Sequence, residues 1–133
     1  VYGLAGLRIG YAVGRPETLA QLRRAQVPFS VNSAAQAGAL AALAHSERLA
    51  ERVAGNDEAR GELEAGLASR GVDYVPSQAN FVLIRPDEDP THLAEEMLTR
   101  GVIVRPMGPF IRVTVGTSAE NLRFLSAFDR IVS

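Results

Sequence analysis

The first third of the chain combines short apolar runs with glycine, proline and polar capping residues. Residues 7–13 form a mainly apolar run that includes small residues, and this run predicts a strand. A proline at a first helical position predicts a helix over residues 16–27, and Asn32 or Ser33 is suited to cap a second helix that ends near His45. Apolar residues surround this second helix on nearly all sides, so we predict that it is buried.

The pattern over residues 47–70 predicts a long charged helix. The stripe of residues on its inward face is apolar at both ends and polar in the middle. The apolar pairs are Leu49 with Val53 and Leu63 with Leu67, and the polar pair between them is Asn56 with Arg60. This pattern is typical of a connector helix that contacts two separate bodies. We therefore divide the chain into residues 1–46, a connector at 47–70 and a small C-terminal domain at 71–133.

The region after Gly71 alternates between strands and helices within a short length. The predicted strands cover residues 72–75, 79–84, 102–105 and 110–115, and the predicted helices cover 90–100 and 118–132. Helix ends are marked by Asp89 before a proline, by Gly101, and by Thr117 with Glu120 as a capping box. The predicted fold class is therefore α/β, with an α+β small domain in which two helices cover one face of a small sheet.

Composition and charge argue against several classes of protein. The net charge is −1 and both signs are spread along the chain, so the basic patch expected of a nucleic-acid-binding protein is missing. The longest mainly apolar stretch, residues 34–44, is too short for a membrane span, and we expect a cytoplasmic protein. Cysteine is absent, and His45 and His92 lack partners at ligand spacing, so we predict no metal site.

All fourteen basic residues of the chain are arginines. A chain without lysine cannot supply the side-chain amine that forms a Schiff base with a carbonyl compound. We therefore assign no catalytic residue, and we predict that the chain by itself is inactive in any reaction that needs such an amine.

Alternation along the last predicted strand gives Arg112 a candidate binding role. Its apolar neighbours face the core, so Arg112 points away from the core. If residues 106–109 form the turn of a hairpin, Arg105 pairs opposite Phe110 and emerges on the face of Arg112. Two guanidinium groups on one rigid surface are suited to bind a carboxylate or phosphate. The simpler alternative for a strand arginine is a solvated or ion-paired surface position.

Arg8 follows a glycine-spaced loop at residues 3–6. Glycine allows the backbone to approach a bound group closely, and an adjacent arginine supplies positive charge for a phosphate. The segment matches neither the dinucleotide fingerprint nor the P-loop, so Arg8 by itself is a weak phosphate motif.

Three segments in order resemble those of fold-type I aminotransferases of the histidinol-phosphate type. The first is GLAGLRIGY at residues 3–11, and the second is SQANFV at 77–82. The third combines GVIVRP at 101–106 with IRVTVGT at 111–117. The resemblance implies a fragment of the fold-type I fold, with the small domain preceded at 1–46 by a remnant of the large cofactor-binding domain.

The resemblance implies a pyridoxal-phosphate-dependent transaminase that moves an amino group between an amino acid or amine and a keto acid. Histidinol phosphate and 2-oxoglutarate are the expected substrates, and a homodimer is the expected assembly. By resemblance, Arg8 contacts the phosphate of pyridoxal phosphate, Arg112 the substrate α-carboxylate and Arg105 the distal phosphate. The Schiff-base lysine is expected to precede Val1.

Alternative functions stay open at this point. A related decarboxylase of the threonine-phosphate type shares the fold and an anionic substrate. An aromatic aminotransferase is favoured if the short loop at residues 107–109 displaces Arg105. A non-enzymatic α+β binding module is the alternative from another class. If the large domain is missing, the apolar helix that ends near His45 is uncovered, and we expect the chain to associate or to dissolve poorly.

Overall fold

The structure is a computed structural model that describes residues 1–132. The chain divides into two compact units, the first comprising Val1–Val53 and the second beginning at Ala54. The division falls inside the long helix that we predicted as a connector, which spans Leu49–Ala68. Each unit is described by itself below.

The first unit is helical. It contains a 3₁₀ turn at Ala5–Leu7, helix α1 at Pro16–Ala25, helix α2 at Ser33–Ala44, a 3₁₀ turn at Ser46–Arg48 and the start of α3, Leu49–Ala68. The side chain of Asn32 accepts a hydrogen bond from the backbone N–H of Ala35 at 2.8 Å, which confirms Asn32 as the N-cap of α2.

The strand predicted at residues 7–13 is wrong, because residues 8–15 have no regular structure. A strand needs a neighbouring strand to pair its backbone groups, and no other strand occurs in the described residues of this unit. The apolar run is compatible with a strand, but local pattern does not supply the pairing partner. Leu7 instead packs against α2, where a β-carbon at Gly38 would lie 2.8 Å from its Cδ1 atom.

The predicted burial of α2 is also wrong. Ala35 is its one buried residue, whereas Leu40 and Leu43 are 70% and 57% exposed. Within the described part of the unit, α2 packs mainly against the short turn at Ala5–Leu7, which is too small to cover a helix that is apolar on all sides. The apolar surface of α2 therefore lies open in this chain.

The second unit is built on an antiparallel sheet. Its strands are β1 at Asp73–Val75, β2 at Phe81–Arg85, β3 at Arg105–Met107 and β4 at Phe110–Thr114. Within the described residues they form a four-stranded sheet in the order β1-β2-β4-β3. All neighbouring pairs are antiparallel, and the central strands β2 and β4 alternate between buried and partly exposed positions.

One face of this sheet is covered by helices and forms the core. Helix α4 covers Pro90–Thr99 and helix α5 covers Ser118–Val132, as predicted. The C-terminal half of α3 joins them and adds Leu63 and Leu67, which are fully buried. The main buried side chains from the sheet and the other helices are Val82, Ile84, Leu93, Met97, Ile111, Val113, Phe124, Leu125 and Phe128.

The predicted helix ends are confirmed where local chemistry determines them. Asp89 accepts hydrogen bonds from the N–H groups of Thr91 and His92 at 2.9 Å. Thr117 and Glu120 form the capping box, since the Glu120 carboxylate accepts from the Thr117 N–H at 2.8 Å and the Thr117 hydroxyl accepts from the Glu120 N–H at 3.3 Å. The bonds to Thr117 hold the pKa of Glu120 below its usual value.

The strand predicted at residues 102–105 is displaced toward the C-terminus. Gly101 adopts φ +73° after α4, and the N–H of Val102 donates to the carbonyl of Met97 at 3.0 Å. This is the bond pattern of a helix C-terminus closed by glycine, so the backbone of Val102 belongs to the cap of α4. The strand β3 therefore begins only at Arg105.

None of the helices in residues 1–132 is long and apolar enough to cross a membrane.

Candidate anion-binding site

The face of the sheet opposite the helices carries the candidate site. Alternation within each strand and the register between strands determine which side chains share this face. They are Asp73 and Val75 from β1, Phe81, Leu83 and Arg85 from β2, Phe110, Arg112 and Thr114 from β4, and Arg105 and Met107 from β3.

Arg105 and Arg112 are direct cross-strand partners in the pairing of β3 with β4. Directly opposed residues project from the same face, so the prediction that the two arginines share one surface is confirmed. The predicted pairing of Arg105 with Phe110 is wrong, because Phe110 pairs with Met107. Arg112 is half-buried on the central strand, whereas Arg105 is exposed on the edge strand.

The turn of the hairpin explains the difference in register. The loop between β3 and β4 is the two-residue segment Gly108–Pro109, shorter than the predicted turn at 106–109. Gly108 has φ +60°, the left-handed conformation that a two-residue hairpin turn of type II′ requires at its first central position. The shorter turn allows Met107 and Phe110 to close the hairpin and places Arg105 opposite Arg112.

The two arginines lack a protein counterion among the described residues. Neither side chain forms a salt bridge there, although Arg60, Arg70 and Arg100 each pair with a carboxylate. Two neighbouring cations without a carboxylate favour the binding of an anion, and the planar donor fork of arginine matches carboxylate and phosphate groups. The geometry therefore favours an anion site over the ion-paired surface position.

The guanidinium of Arg112 lies over an aromatic ring. Its Cζ atom is 4.9 Å from the ring centroid of Phe81, within the range of cation–π contacts. A ring beneath the face of a guanidinium leaves the in-plane N–H groups at its edge available as donors. The contact therefore supports the side chain without consuming its hydrogen-bonding capacity.

Sequence reasoning missed a second aromatic and cationic pair on this face. The Cζ atom of Arg85 lies 5.0 Å from the ring centroid of Phe110. Alternation in the segment FVLIR does place Phe81 and Arg85 on one face of β2. The register with β4 was needed to show that this is also the face of Arg112.

Arg8 lies in the first unit, and its environment differs from the expected strand start. It caps the 3₁₀ turn at Ala5–Leu7 with φ +60°, a left-handed conformation that is uncommon for residues other than glycine. Its Nη1 atom donates to the carbonyl of Ala5 at 2.9 Å, and the side chain is exposed. Arg8 forms no ion pair with the described residues, so its remaining donors are available to an anion.

Comparisons with known proteins agree with these features. The sequence profile of the family described as aminotransferase class I and II matches residues 1–128. The chain is 44% identical to histidinol-phosphate aminotransferase 2 of Methylococcus capsulatus, over 98% of this chain and 37% of the relative. It is 46% identical to histidinol-phosphate aminotransferase of Symbiobacterium thermophilum, over 96% of this chain and 37% of the relative.

A solved structure extends the likeness to the fold. The crystal structure of histidinol-phosphate aminotransferase from Sinorhizobium meliloti, in complex with pyridoxal-5'-phosphate, matches with a TM-score of 0.80 and 26% identity. The match covers 98% of this chain and 38% of that chain. The chain thus spans little more than a third of the length of these relatives.

Proposed function

Because this chain belongs to the class I and II aminotransferase family, we propose that it forms the C-terminal, substrate-binding part of a pyridoxal-phosphate-dependent transaminase. The reaction moves an amino group between an amino acid or amine and a keto acid, with histidinol phosphate and 2-oxoglutarate as substrates. The names of the relatives from Methylococcus capsulatus and Symbiobacterium thermophilum support this choice. A cytoplasmic homodimer, the assembly typical of the family, is part of the proposal.

The observation that carries the proposal is the cross-strand pair of Arg105 and Arg112 on the open face of the sheet. Both substrates are anions, since the keto acid has carboxylates and the amine has a phosphate. Arg112, which is half-buried and supported by a ring, binds the α-carboxylate of the substrate that has one. Arg105, which is exposed at the edge strand, binds the distal phosphate.

The residues of this chain fit one end of the cofactor. Arg8 has an exposed guanidinium without an ion-pair partner in residues 1–132, which suits the phosphate of pyridoxal phosphate. The chain contains no lysine, so it does not provide the covalent anchor. When bound, pyridoxal phosphate supplies the electron-withdrawing ring that amino transfer requires. Arg105 and Arg112 hold and orient the substrate.

Lysine substitutions in the full-length protein test the two assigned roles. Arg112→Lys keeps the charge but loses the donor fork, and each charge-assisted hydrogen bond contributes about 1.5 to 3 kcal/mol. Loss of one such bond raises KM for the keto acid by roughly 10- to 150-fold. Arg105→Lys raises KM mainly for the phosphorylated amine. Arg100→Lys is the control, because Arg100 pairs with Glu96 on a helix surface.

Product analysis decides between transamination and its alternatives. Stoichiometric formation of an amino acid from 2-oxoglutarate supports the proposal. Release of carbon dioxide from an amino acid without formation of a keto acid excludes transamination and favours the related decarboxylase. If both arginine variants keep the KM values of the unsubstituted protein, the assignment of the anion site to this sheet face is wrong.

A further inference from the structure

The ring of Phe81 and the guanidinium of Arg112 meet across two central strands of the sheet. In the register of β2 with β4, the residue directly opposite Arg112 is Leu83, and Phe81 is opposite Thr114. The contact of 4.9 Å is therefore diagonal, which means that the arginine side chain lies along the strand toward the ring. An arginine with free rotamers would spread over many directions, so the contact selects one of them.

The backbone on the N-terminal side of Phe81 is closed into a compact turn by one serine. The Ser77 hydroxyl donates to the carbonyl of Phe81 at 2.6 Å and accepts a hydrogen bond from the N–H of Ala79 at 3.0 Å. Asn80 accepts a hydrogen bond from the N–H of Val115 through its carbonyl, at 2.9 Å. These bonds determine the direction in which the chain enters β2, and therefore where the ring of Phe81 lies.

Three polar side chains of helix α3 form hydrogen bonds with the backbone of the turn that precedes β2. Asn56 and Arg60 each donate to the carbonyl of Ala79 at 3.2 Å, and Glu64 accepts from the N–H of Ser77 at 3.1 Å. They are spaced by four residues and so lie along one side of the helix. The polar middle of α3 therefore anchors the segment that carries Phe81 through hydrogen bonds to its backbone.

We propose that Phe81 is a positioning residue, whose ring holds the guanidinium of Arg112 in the orientation that receives the substrate carboxylate. The inference rests on the proposed function, since it names how the anion site of the transaminase is kept ready. The anchored turn before β2 fixes the ring, and the ring fixes the arginine. A preoriented arginine loses less conformational freedom when the substrate binds, which strengthens binding without a new contact to the substrate.

The pair of Arg85 with Phe110 provides a matched comparison on the same face. Its separation of 5.0 Å is close to that of Phe81 with Arg112, and both aromatic side chains are half-buried. Loss of either ring removes one aromatic side chain from the open face of the sheet. The ring of Phe81 contacts Arg112, whereas the ring of Phe110 contacts Arg85.

The test uses the full-length protein loaded with pyridoxal phosphate. Phe81→Leu is expected to raise KM for the amino acid and the keto acid by roughly 2- to 30-fold, the range of a cation–π contact, while kcat changes less than KM. Phe110→Leu removes a ring that does not contact Arg112 and is expected to raise both KM values much less than Phe81→Leu. Phe81→Tyr is expected to retain the KM values of the unsubstituted protein. Pentafluorophenylalanine at position 81 keeps the shape of the ring but reverses its electrostatics, so it raises KM even if Phe81→Leu fails to fold.

Two further measurements separate the inference from the function on which it rests. In an Arg112→Gln background, Phe81→Leu should have no additional effect on KM, whereas additive effects would overturn the positioning role. In the 15N-labelled full-length protein, the NMR signal of the Arg112 side-chain N–H should shift when Phe81 is replaced, irrespective of activity. Absence of amino transfer by the unsubstituted protein refutes the proposed function. Normal amino transfer with unchanged KM in Phe81→Leu refutes only the role of Phe81.

Discussion

Asn121 is the buried polar residue on which the junction of β4, α3 and α5 depends. It is only 4% exposed, and its Nδ2 atom donates to the carbonyl of Ala59 in α3 at 2.9 Å. Its Oδ1 atom accepts from the N–H of Gly116, which follows β4, at 3.1 Å. Asn121→Ala removes the bond to Ala59, which contributes about 1 kcal/mol, and leaves the Gly116 N–H without its partner, which costs about 1 to 3 kcal/mol.

The expected loss in the free energy of unfolding is therefore about 2 to 4 kcal/mol, a large part of the total of an ordinary domain. Urea unfolding followed by circular dichroism measures it as a fall in the midpoint of roughly 1 to 2 M, with an unchanged slope. Asn80→Ala is the control, because Asn80 is exposed and its side chain forms no hydrogen bond with the described residues. A loss below about 1 kcal/mol for Asn121→Ala would refute the reasoning, since two buried hydrogen bonds would then contribute nothing.

Two further predictions concern stability away from the site. Gly101→Ala and Gly71→Ala both place a side chain at positive φ, +73° and +69°, and should each cost about 1 to 2 kcal/mol in thermal or urea unfolding. The new β-carbon at Gly101 would lie 2.6 Å from Nη2 of Arg123, whereas Gly71 faces open space, so a much larger loss at Gly101 would show that Arg123 cannot move aside. Arg70 donates Nε and Nη2 to the carboxylate of Asp129 at 2.6 and 2.8 Å, which lowers the pKa of Asp129. The pair stabilises the fold above about pH 4, by at most about 1 kcal/mol because both groups are partly exposed, and this is lost as pH falls through the lowered pKa. Asp129→Asn should therefore be less stable than the unsubstituted chain at pH 7 and equal to it in acid, and an equal difference at both pH values would contradict the assignment.

Helix ends were predictable because their chemistry is local. Asp89 and the Thr117–Glu120 box act on N–H groups two or three residues away, so a short stretch of sequence contains both donor and acceptor. The strand expected at residues 7–13 and the burial of α2 depend instead on distant partners. The sequence pattern within those segments does not indicate which surface covers them. In the described part of this chain no such surface covers Leu40, which is exposed.

The position of Phe81 shows the same limit within the site itself. Alternation in β2 gives the face of its ring, but the contact with Arg112 depends on the register between strands that are about thirty residues apart. The polar residues of α3 gave no local sign of their role either. Asn56 and Arg60 appeared in the sequence only as the polar middle of a connector helix, whereas both donate hydrogen bonds to the carbonyl of Ala79, which is about twenty residues away.

The face of Arg105 was predicted correctly although its partner was not, and the period of the strand explains why. Side chains alternate with a period of two, so pairing with Phe110 or with Arg112 leaves Arg105 on the same side of the sheet. A slip by one residue would instead send it to the core face. The two-residue turn at Gly108–Pro109 therefore determines the geometry of the proposed anion site, because it brings Arg105 and Arg112 directly opposite each other. Without that register, the surface would keep its charge but lose the adjacent pair that a carboxylate or phosphate can bridge.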